Sequence, residues 1–460
     1  MYNINLKNDV FSRILIAFKK GMSKMAFKLH GVNVPHRKNT ANMPPVRMNI
    51  PKTVTLPMSM HIGAPANPIV KVGDHVDVGT LVAEAVGAVS SPVYASVSGT
   101  VKGISDILLS NGNTVPAVTI ESDGEMTVDS KITPPTINSR EDLINAIRLS
   151  GIVGLGGAGF PTYVKFGGDK PLDIEELIVN GAECEPYITS DSVTMTESAE
   201  DISYALDMLT KYLNINKVII GIEKNKPDAI RSMEKVAETR EKVSVKVLPS
   251  MYPQGGEKVI VYHTTGKKIP NGGLPINVGC VVSNSSSVAA IGKYLKTGMP
   301  LVERCITVDG GAVKEPKNVI APIGTSLNDV FEFCGGFKQE VGKVLYGGPM
   351  MGIAVPDTSV PVLKNTNAVI ALTEKEAKLP EPTPCIKCGA CVNHCPFGIN
   401  PAAIAKAYKN DDIEGMEKAG ATLCMECGCC SFICPTNRPL VQTNKLAKLA
   451  IRNAKVKEAK

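Results

Sequence analysis

Eight cysteines near the C-terminal end of this 460-residue chain stand at spacings suited to redox chemistry. The first run reads Cys385-Ile-Lys-Cys388-Gly-Ala-Cys391-Val-Asn-His-Cys395-Pro396, and the second Cys424-Met-Glu-Cys427-Gly-Cys-Cys430-Ser-Phe-Ile-Cys434-Pro435. Both follow C-x2-C-x2-C-x3-C-P, the thiolate spacing of two-cluster [4Fe–4S] proteins. Three thiolates of one tight loop take three corners of a cubane, and the fourth, carried on by the next turn, reaches the other cluster. The spacing therefore predicts Cys385, Cys388, Cys391 and Cys434 on one cluster, and Cys424, Cys427, Cys430 and Cys395 on the other. Gly389 and Gly428 let the backbone bend close and turn N–H groups toward sulfur. Paired zinc knuckles lack this four-cysteine run closed by proline. A disulfide framework belongs to small secreted chains, and no signal peptide is read here. Cys429 falls outside the register and reads as a small buried residue.

A second set of residues has the types that hold a nucleotide. Gly154-Leu-Gly156-Gly157-Ala-Gly159-Phe160-Pro161 contains G-x-G-x-x-G, with Lys165 four residues beyond Pro161. A helix is predicted before it and Pro161 interrupts any helix directly after it, so it is not a plain dinucleotide fingerprint. Its N–H groups suit a phosphate cradle to which Lys165 adds charge; a flexible loop is the other reading of the spacing. Asn180-Gly-Ala-Glu183-Cys-Glu185-Pro186 places two carboxylates at the end of a predicted strand, where α/β sheets open a binding crevice. Gly255-Gly256-Glu257-Lys258 opens a helix with a second possible anion site.

The elements that must position these residues alternate. Ser139 and Asp142 form a capping box opening a helix through Leu149. Strands over 176–180, 217–222 and 243–248 alternate with helices over 198–212 and 227–238, and polar Asn284 ends a further strand. That order implies a doubly wound, largely parallel sheet. Residues 50–125 instead alternate apolar and polar residues between glycine turns, in the manner of a lipoyl- or biotinyl-carrier sandwich. Its tip, at 86–91, has no lysine to modify, so the fold is expected without a swinging arm. His61 and His75 read as surface or satisfied core histidines. Strand, turn, strand and helix over 306–335 fit a β-grasp module, and the Gly347–Gly352 turn, with its methionine pair, reads as packing. Helices over 401–408, 412–419 and 440–453 make the cysteine region an α-helical ferredoxin domain. The expected fold is multidomain α/β: an extension (1–24), a carrier-like β-sandwich (25–130), an α/β domain with a parallel sheet (131–300), a β-grasp, SLBB-like module (301–375) and the two-cluster domain (376–460). Within the extension, Val10, Phe11, Ile14, Leu15 and Phe18 make a short apolar face before Lys19 and Lys20; an extension ahead of Met25 is preferred to an interfacial helix.

The ordered set resembles a known family. The segments at 154–166 and 180–186 look like the flavin- and NADH-binding motifs of the complex I flavoprotein subunit. The full order, with His61-Ile-Gly-Ala-Pro65, 180–187, 252–258 and 347–352, resembles the C subunits of Rnf ion-pumping ferredoxin:NAD⁺ oxidoreductases over about residues 26–440. The resemblance implies that Gly156, Gly157, Gly159, Lys165, Asn180, Glu183 and Asn284 hold FMN, with Phe160, Glu185 and Glu257 near the nicotinamide of NAD(H). Ala182 stands where complex I has Asp, and Gly256 where it has the first of two Glu. The implied partners are other subunits of a membrane-bound redox complex and, through them, ferredoxin. The competing readings are a soluble cobalamin-reductase-like flavo-iron–sulfur protein with the same layout and a non-enzymatic electron-relay scaffold without a nucleotide site.

Composition narrows the field further. A net charge of +6, no Trp and 5% aromatics do not favour nucleic acid. No apolar run approaches the roughly 18 residues that span a bilayer. Free thiolates suit a reducing compartment, so the expected place is peripheral, at the cytoplasmic face of the cell membrane. The basic residues Lys445, Lys448, Arg452, Lys455, Lys457 and Lys460 read as a solvated helix face.

Overall fold

The computed structural model describes residues 30–458; the predicted extension over 1–24 lies outside them. Two small antiparallel sheets come first. One runs Thr53–Pro57, Thr114–Ser122, Gly99–Leu108 and His75–Val76, and the other Asn67–Pro68, Leu81–Glu84 and Val93–Tyr94. Alternation drives the sandwich: Val54, Leu56, Val82, Val101 and Ile120 are fully buried between its layers. Gly99 takes φ +151°, and a Cβ there would lie 2.0 Å from the Glu121 carbonyl oxygen, so only glycine fits this turn. The lysine-free tip is not free to swing. Tyr163 Oη donates to the Ala88 carbonyl (2.8 Å) and Ser91 Oγ to that of Gly151 (3.0 Å).

The capping box at Ser139 and Asp142 opens the helix Arg140–Leu149 as expected. Beyond it lies a four-stranded, wholly parallel sheet ordered Val243–Leu248, Lys217–Glu223, Glu176–Gly181, Cys280–Asn284. Its strands read as continuous apolar runs because helices, among them Ala199–Tyr212, Pro227–Glu238 and Ser285–Thr297, cover its faces. The chain builds outward from Glu176–Gly181 to Val243–Leu248, then returns to add Cys280–Asn284 on the opposite side of the starting strand. That reversal is a topological switch point, where α/β sheets open a crevice, and Asn180 and Asn284 stand side by side at its strand ends, with Glu183 just beyond.

A mixed six-stranded sheet follows, ordered Val46–Arg47, Lys317–Pro322, Glu303–Asp309, Ala368–Thr373, Val341–Tyr346, Ile353–Ala354. The helix Leu327–Phe333 packs on it through Leu327, Val330 and Phe331. Its edge strand comes from residues 46–47, outside the span expected for the β-grasp module. The cysteine region is helical, with Pro401–Lys409, Ile413–Lys418 and Leu440–Glu458 meeting through Ile404, Met416, Ala447 and Ile451. Among the described residues no helix is long and apolar enough to cross a membrane.

Candidate flavin and iron–sulfur sites

The two cysteine runs fold as copies of each other. In each, the residue before the second cysteine and the glycine after it are left-handed: Lys387 (φ 57°) and Gly389 (φ 75°), Glu426 (φ 63°) and Gly428 (φ 79°). This bend turns the Lys387 N–H to Cys385 Sγ and the Glu426 N–H to Cys424 Sγ, both at 3.4 Å. A short helix then carries the third cysteine, Ala390–Asn393 or Cys429–Phe432. Cys385, Cys388, Cys391 and Cys434 line one cavity of about 230 Å³. Cys395, Cys424, Cys427 and Cys430 line a second, together with Cys429, and its accessible core is about 20 Å³. These are the two crosswise sets that the spacing predicts. Among the described residues no three His, Cys, Asp or Glu side chains close on a point fit for a single ion. Four sulfur ligands in each set, with N–H groups aimed at sulfur, are the donors a cubane takes. Cys429 is buried at 1% exposure beside Tyr252, with Sγ 3.9 Å from the Tyr252 carbonyl oxygen.

The glycine loop is a fixed structure. The Gly154 N–H donates to the Phe160 carbonyl (2.8 Å), and the Leu155 N–H to Ser287 Oγ (2.9 Å). The N–H groups of Gly156, Gly157, Ala158 and Gly159 have no acceptor among the described residues. A Cβ on Gly157 would meet nothing within 4 Å, whereas one on Gly156 would lie 2.4 Å from Asn284 Nδ2. The loop thus has an open side lined by free donors and a closed side backed by Asn284, a cradle that fits an anionic nucleotide such as FMN. Asn284 itself caps the helix Ser285–Thr297, accepting from the N–H groups of Ser286 and Ser287, and donates to Asp191 (2.8 Å).

Around the crevice the predicted residues divide. Lys165 Nζ lies 3.1 Å from Glu257 Oε1 and donates to the Val282 carbonyl (2.8 Å), so the sequence-distant pair Lys165 and Glu257 does meet. Asn180 donates to the Gly255 carbonyl (2.9 Å) and ties the strand end to the second glycine loop. Glu183 is buried, accepts from the Asp191 N–H (2.7 Å), and has an unpartnered Oε2; burial raises its pKa. Glu185 is engaged with the turn at 347–352. Its carboxylate accepts from the N–H groups of Met350 (3.0 Å) and Met351 (2.8 Å), and burial pushes its pKa up to about 7. The Gly347–Gly352 turn therefore does more than pack, because two of its N–H groups hold a half-buried carboxylate. A Cβ on Gly348 would lie 2.3 Å from Glu185 Oε2. His61 is only half satisfied: Nε2 accepts from the Ser91 N–H (3.1 Å), while the buried Nδ1 has no partner among the described residues; His75 stays exposed near Asp77.

Several residues here escaped the sequence reading. Lys38 donates to the carbonyls of Glu183 (2.9 Å), Glu185 (2.8 Å) and Ile188, and so fixes the acidic segment from the N-terminal side. Lys226 donates to the Glu183 carbonyl (3.1 Å) and to Glu223 (2.8 Å). Neither lies in a motif, and only the tertiary fold brings them in.

The crevice and the second cysteine cavity adjoin. Tyr252 Oη donates to the Cys427 carbonyl (2.6 Å), and a Cβ on Gly256 would lie 2.4 Å from Met425 Cε. Cys385 and Cys388, by contrast, are exposed.

Comparison with known proteins agrees with this layout. Residues 26–125 match the RnfC barrel sandwich hybrid domain, 147–293 the Nuo51 FMN-binding domain, 305–354 the SLBB domain, and 384–438 a 4Fe-4S dicluster domain. The C subunit of the Na(+)-translocating ferredoxin:NAD(+) oxidoreductase complex of Acetobacterium woodii is 42% identical over 425 residues, covering 92% of this chain and 96% of that one. Its counterpart in the proton-translocating ferredoxin:NAD(+) oxidoreductase complex of Clostridium ljungdahlii is 40% identical over 379 residues, 82% of each chain. The counterpart in the ion-translocating oxidoreductase complex of Rhodobacter capsulatus is 38% identical over 418 residues, 90% of this chain and 80% of that one. On identity and coverage together, the chain belongs to the RnfC family, the C subunits of ion-translocating ferredoxin:NAD(+) oxidoreductase complexes.

Proposed function

We propose that this chain is the NAD(H)-reacting subunit of a membrane-associated, ion-pumping ferredoxin:NAD⁺ oxidoreductase, and that electrons pass through it between nicotinamide, FMN and two [4Fe–4S] clusters. The observation that carries the reading is the seat of the Cys427 loop, through Tyr252 and Met425, on the glycine turn beside the crevice. Flavin, when bound, exchanges a hydride with nicotinamide and single electrons with clusters. The chain's own residues arrange that exchange. Gly156, Gly157 and Gly159 supply the N–H cradle; Asn180 and Asn284 set its neighbours; Lys165 holds positive charge at the rim, paired with Glu257. Phe160 and Glu257 face the nicotinamide side, and Glu185 braces the crevice against the turn at 347–352. Cys395, Cys424, Cys427 and Cys430 stand next to the crevice. Cys385, Cys388, Cys391 and Cys434 form the outer set, where exposure of Cys385 and Cys388 suits exchange with a partner subunit and, through it, ferredoxin. The assigned place is peripheral, at the cytoplasmic face of the membrane.

The test is anaerobic purification with measurement of FMN, iron and sulfide, followed by NADH titration of the visible spectrum. Bound FMN, about eight iron atoms per chain, and bleaching of both chromophores are the expected result. Zinc at the cysteines, or a spectrum unmoved by NADH, overturns the reading.

A further inference from the structure

The glycine loop is held from outside the domain that contains it. Three of its carbonyls point away from the cradle, each toward a different donor. Leu155 O accepts from Arg304 Nη2 (3.1 Å), Gly157 O from Asn365 Nδ2 (3.0 Å), and Gly159 O from the Ile62 N–H (3.1 Å). Arg304 and Asn365 lie beyond residues 147–293, the span that matches the FMN-binding domain family. They converge on one tight turn at 363–366, closed by the Leu363 N–H to Thr366 Oγ1 (2.9 Å) and the Thr366 N–H to the Leu363 carbonyl (3.1 Å). Arg304 is buried at 4% exposure, and its Nε donates to the Thr366 carbonyl (3.2 Å), so the guanidinium bridges that turn to the loop. Lys364, in the same turn, donates to the Gly151 carbonyl (2.9 Å) just before the loop.

In a trans peptide the carbonyl and the N–H that follows it lie in one plane and point in opposite directions. Pulling the Gly157 carbonyl toward Asn365 therefore turns the next N–H, that of Ala158, the other way. Arg304 does the same for the N–H of Gly156, and Ile62 for that of Phe160. Two of the cradle's free donors, the N–H groups of Gly156 and Ala158, are thus set by side chains drawn from the β-grasp module.

We propose that Asn365, on the turn at 363–366, is a positioning residue for flavin-nucleotide binding that acts by fixing the Gly157 peptide. The proposal rests on the assignment of FMN to this loop. Preorganised donors bind an anion without first having to be ordered, and a loop free to rotate its peptides loses that advantage. Asn365 is half-buried and its side chain donates to the Gly157 carbonyl at the edge of the turn, so its replacement leaves the core intact.

The experiment titrates FMN, by flavin fluorescence, into FMN-depleted chain that retains its clusters, in wild type, Asn365→Ala and Asn365→Asp. Loss of one hydrogen bond, at about 0.5–1.5 kcal/mol, predicts an FMN Kd raised by roughly two- to tenfold in Asn365→Ala. Asn365→Asp matches the amide in shape but sets an oxygen against the Gly157 carbonyl, so it is expected to bind FMN more weakly than the alanine variant. A residue that merely fills space gives the opposite order. Iron content and the thermal midpoint are expected to stay at wild-type values in both variants. Equal FMN affinity in wild type and Asn365→Ala, an aspartate variant that binds as wild type does, or weakening that only tracks lost iron overturns the proposal. A wild-type chain that binds no FMN overturns the functional assignment along with it.

Discussion

Gly256 stands where the complex I pattern has glutamate, and its neighbour is the cluster loop. A Cβ at that position would lie 2.4 Å from Met425 Cε, the far end of a flexible side chain, so any larger residue must displace Met425. Gly256→Glu is expected to push Met425 aside and to slow cluster reduction by NADH about tenfold or more, with FMN content unchanged, since the cradle at Gly156–Gly159 is untouched. Stopped-flow bleaching, read separately at flavin and cluster wavelengths, checks it; cluster reduction at the wild-type rate would refute this account of Gly256. The cysteines were legible in the sequence because ligand spacing is a local property, and each run sets its own left-handed bends at Lys387 and Gly389 or Glu426 and Gly428. Lys38, Lys226, Arg304 and Asn365 were not. Each acts on carbonyls more than 40 residues away in sequence, and no periodicity encodes such a meeting. Glu185 shows the same limit: its place at a strand end could be read, but not the N–H groups of Met350 and Met351 that claim its carboxylate.

Among the elements, the paired cysteine runs make the sharpest demand. Each lends its fourth cysteine to the other cavity, so Cys434 stands with Cys385, Cys388 and Cys391 although it closes the second run. Cys434→Ser should therefore remove or convert the outer cluster and spare the one beside the crevice. Iron is expected to fall from about eight atoms to about four per chain where the outer cluster is lost entirely. NADH should still bleach the remaining cluster, whereas transfer to an external acceptor protein should fall steeply. Iron analysis with electron paramagnetic resonance of the NADH-reduced protein separates the two clusters. Loss of the crevice-side signal instead would mean that each run fills its own site. The parallel sheet was legible in the same way, since its apolar strands and amphipathic helices alternate. The strand order, which creates the crevice, is settled by pairing between Cys280–Asn284 and Glu176–Gly181 across about 100 residues of intervening chain.

At the scale of the whole molecule, Lys364 is where three parts of the chain meet. Its ammonium is 1% exposed and donates to Ser91 Oγ and the Pro92 carbonyl of the carrier-like sandwich and to the Gly151 carbonyl before the glycine loop. No carboxylate pairs with it among the described residues, and burial lowers its pKa from 10.5 to about 7. Between those values the unfolded chain holds a proton that the folded chain has released. Stability therefore rises with pH across the window, by up to about 1.4 kcal/mol per pH unit, and is lost again as pH falls toward 7. Lys364→Met keeps the length of the side chain but has no charge to bury. Its thermal midpoint is expected to lack this rise between pH 7 and 9.5, where the wild type gains. The substitution also leaves the Pro92 carbonyl unpaired, at ~1–3 kcal/mol, while the Gly151 carbonyl keeps the Ser91 hydroxyl, so its stability at pH 9.5 should lie below that of the wild type. Differential scanning of both proteins across that range, with iron content held constant, reads the slope and the offset separately. Parallel slopes would show that Lys364 keeps its proton throughout, and that the three parts are joined by a permanent charge in place of a titrating one.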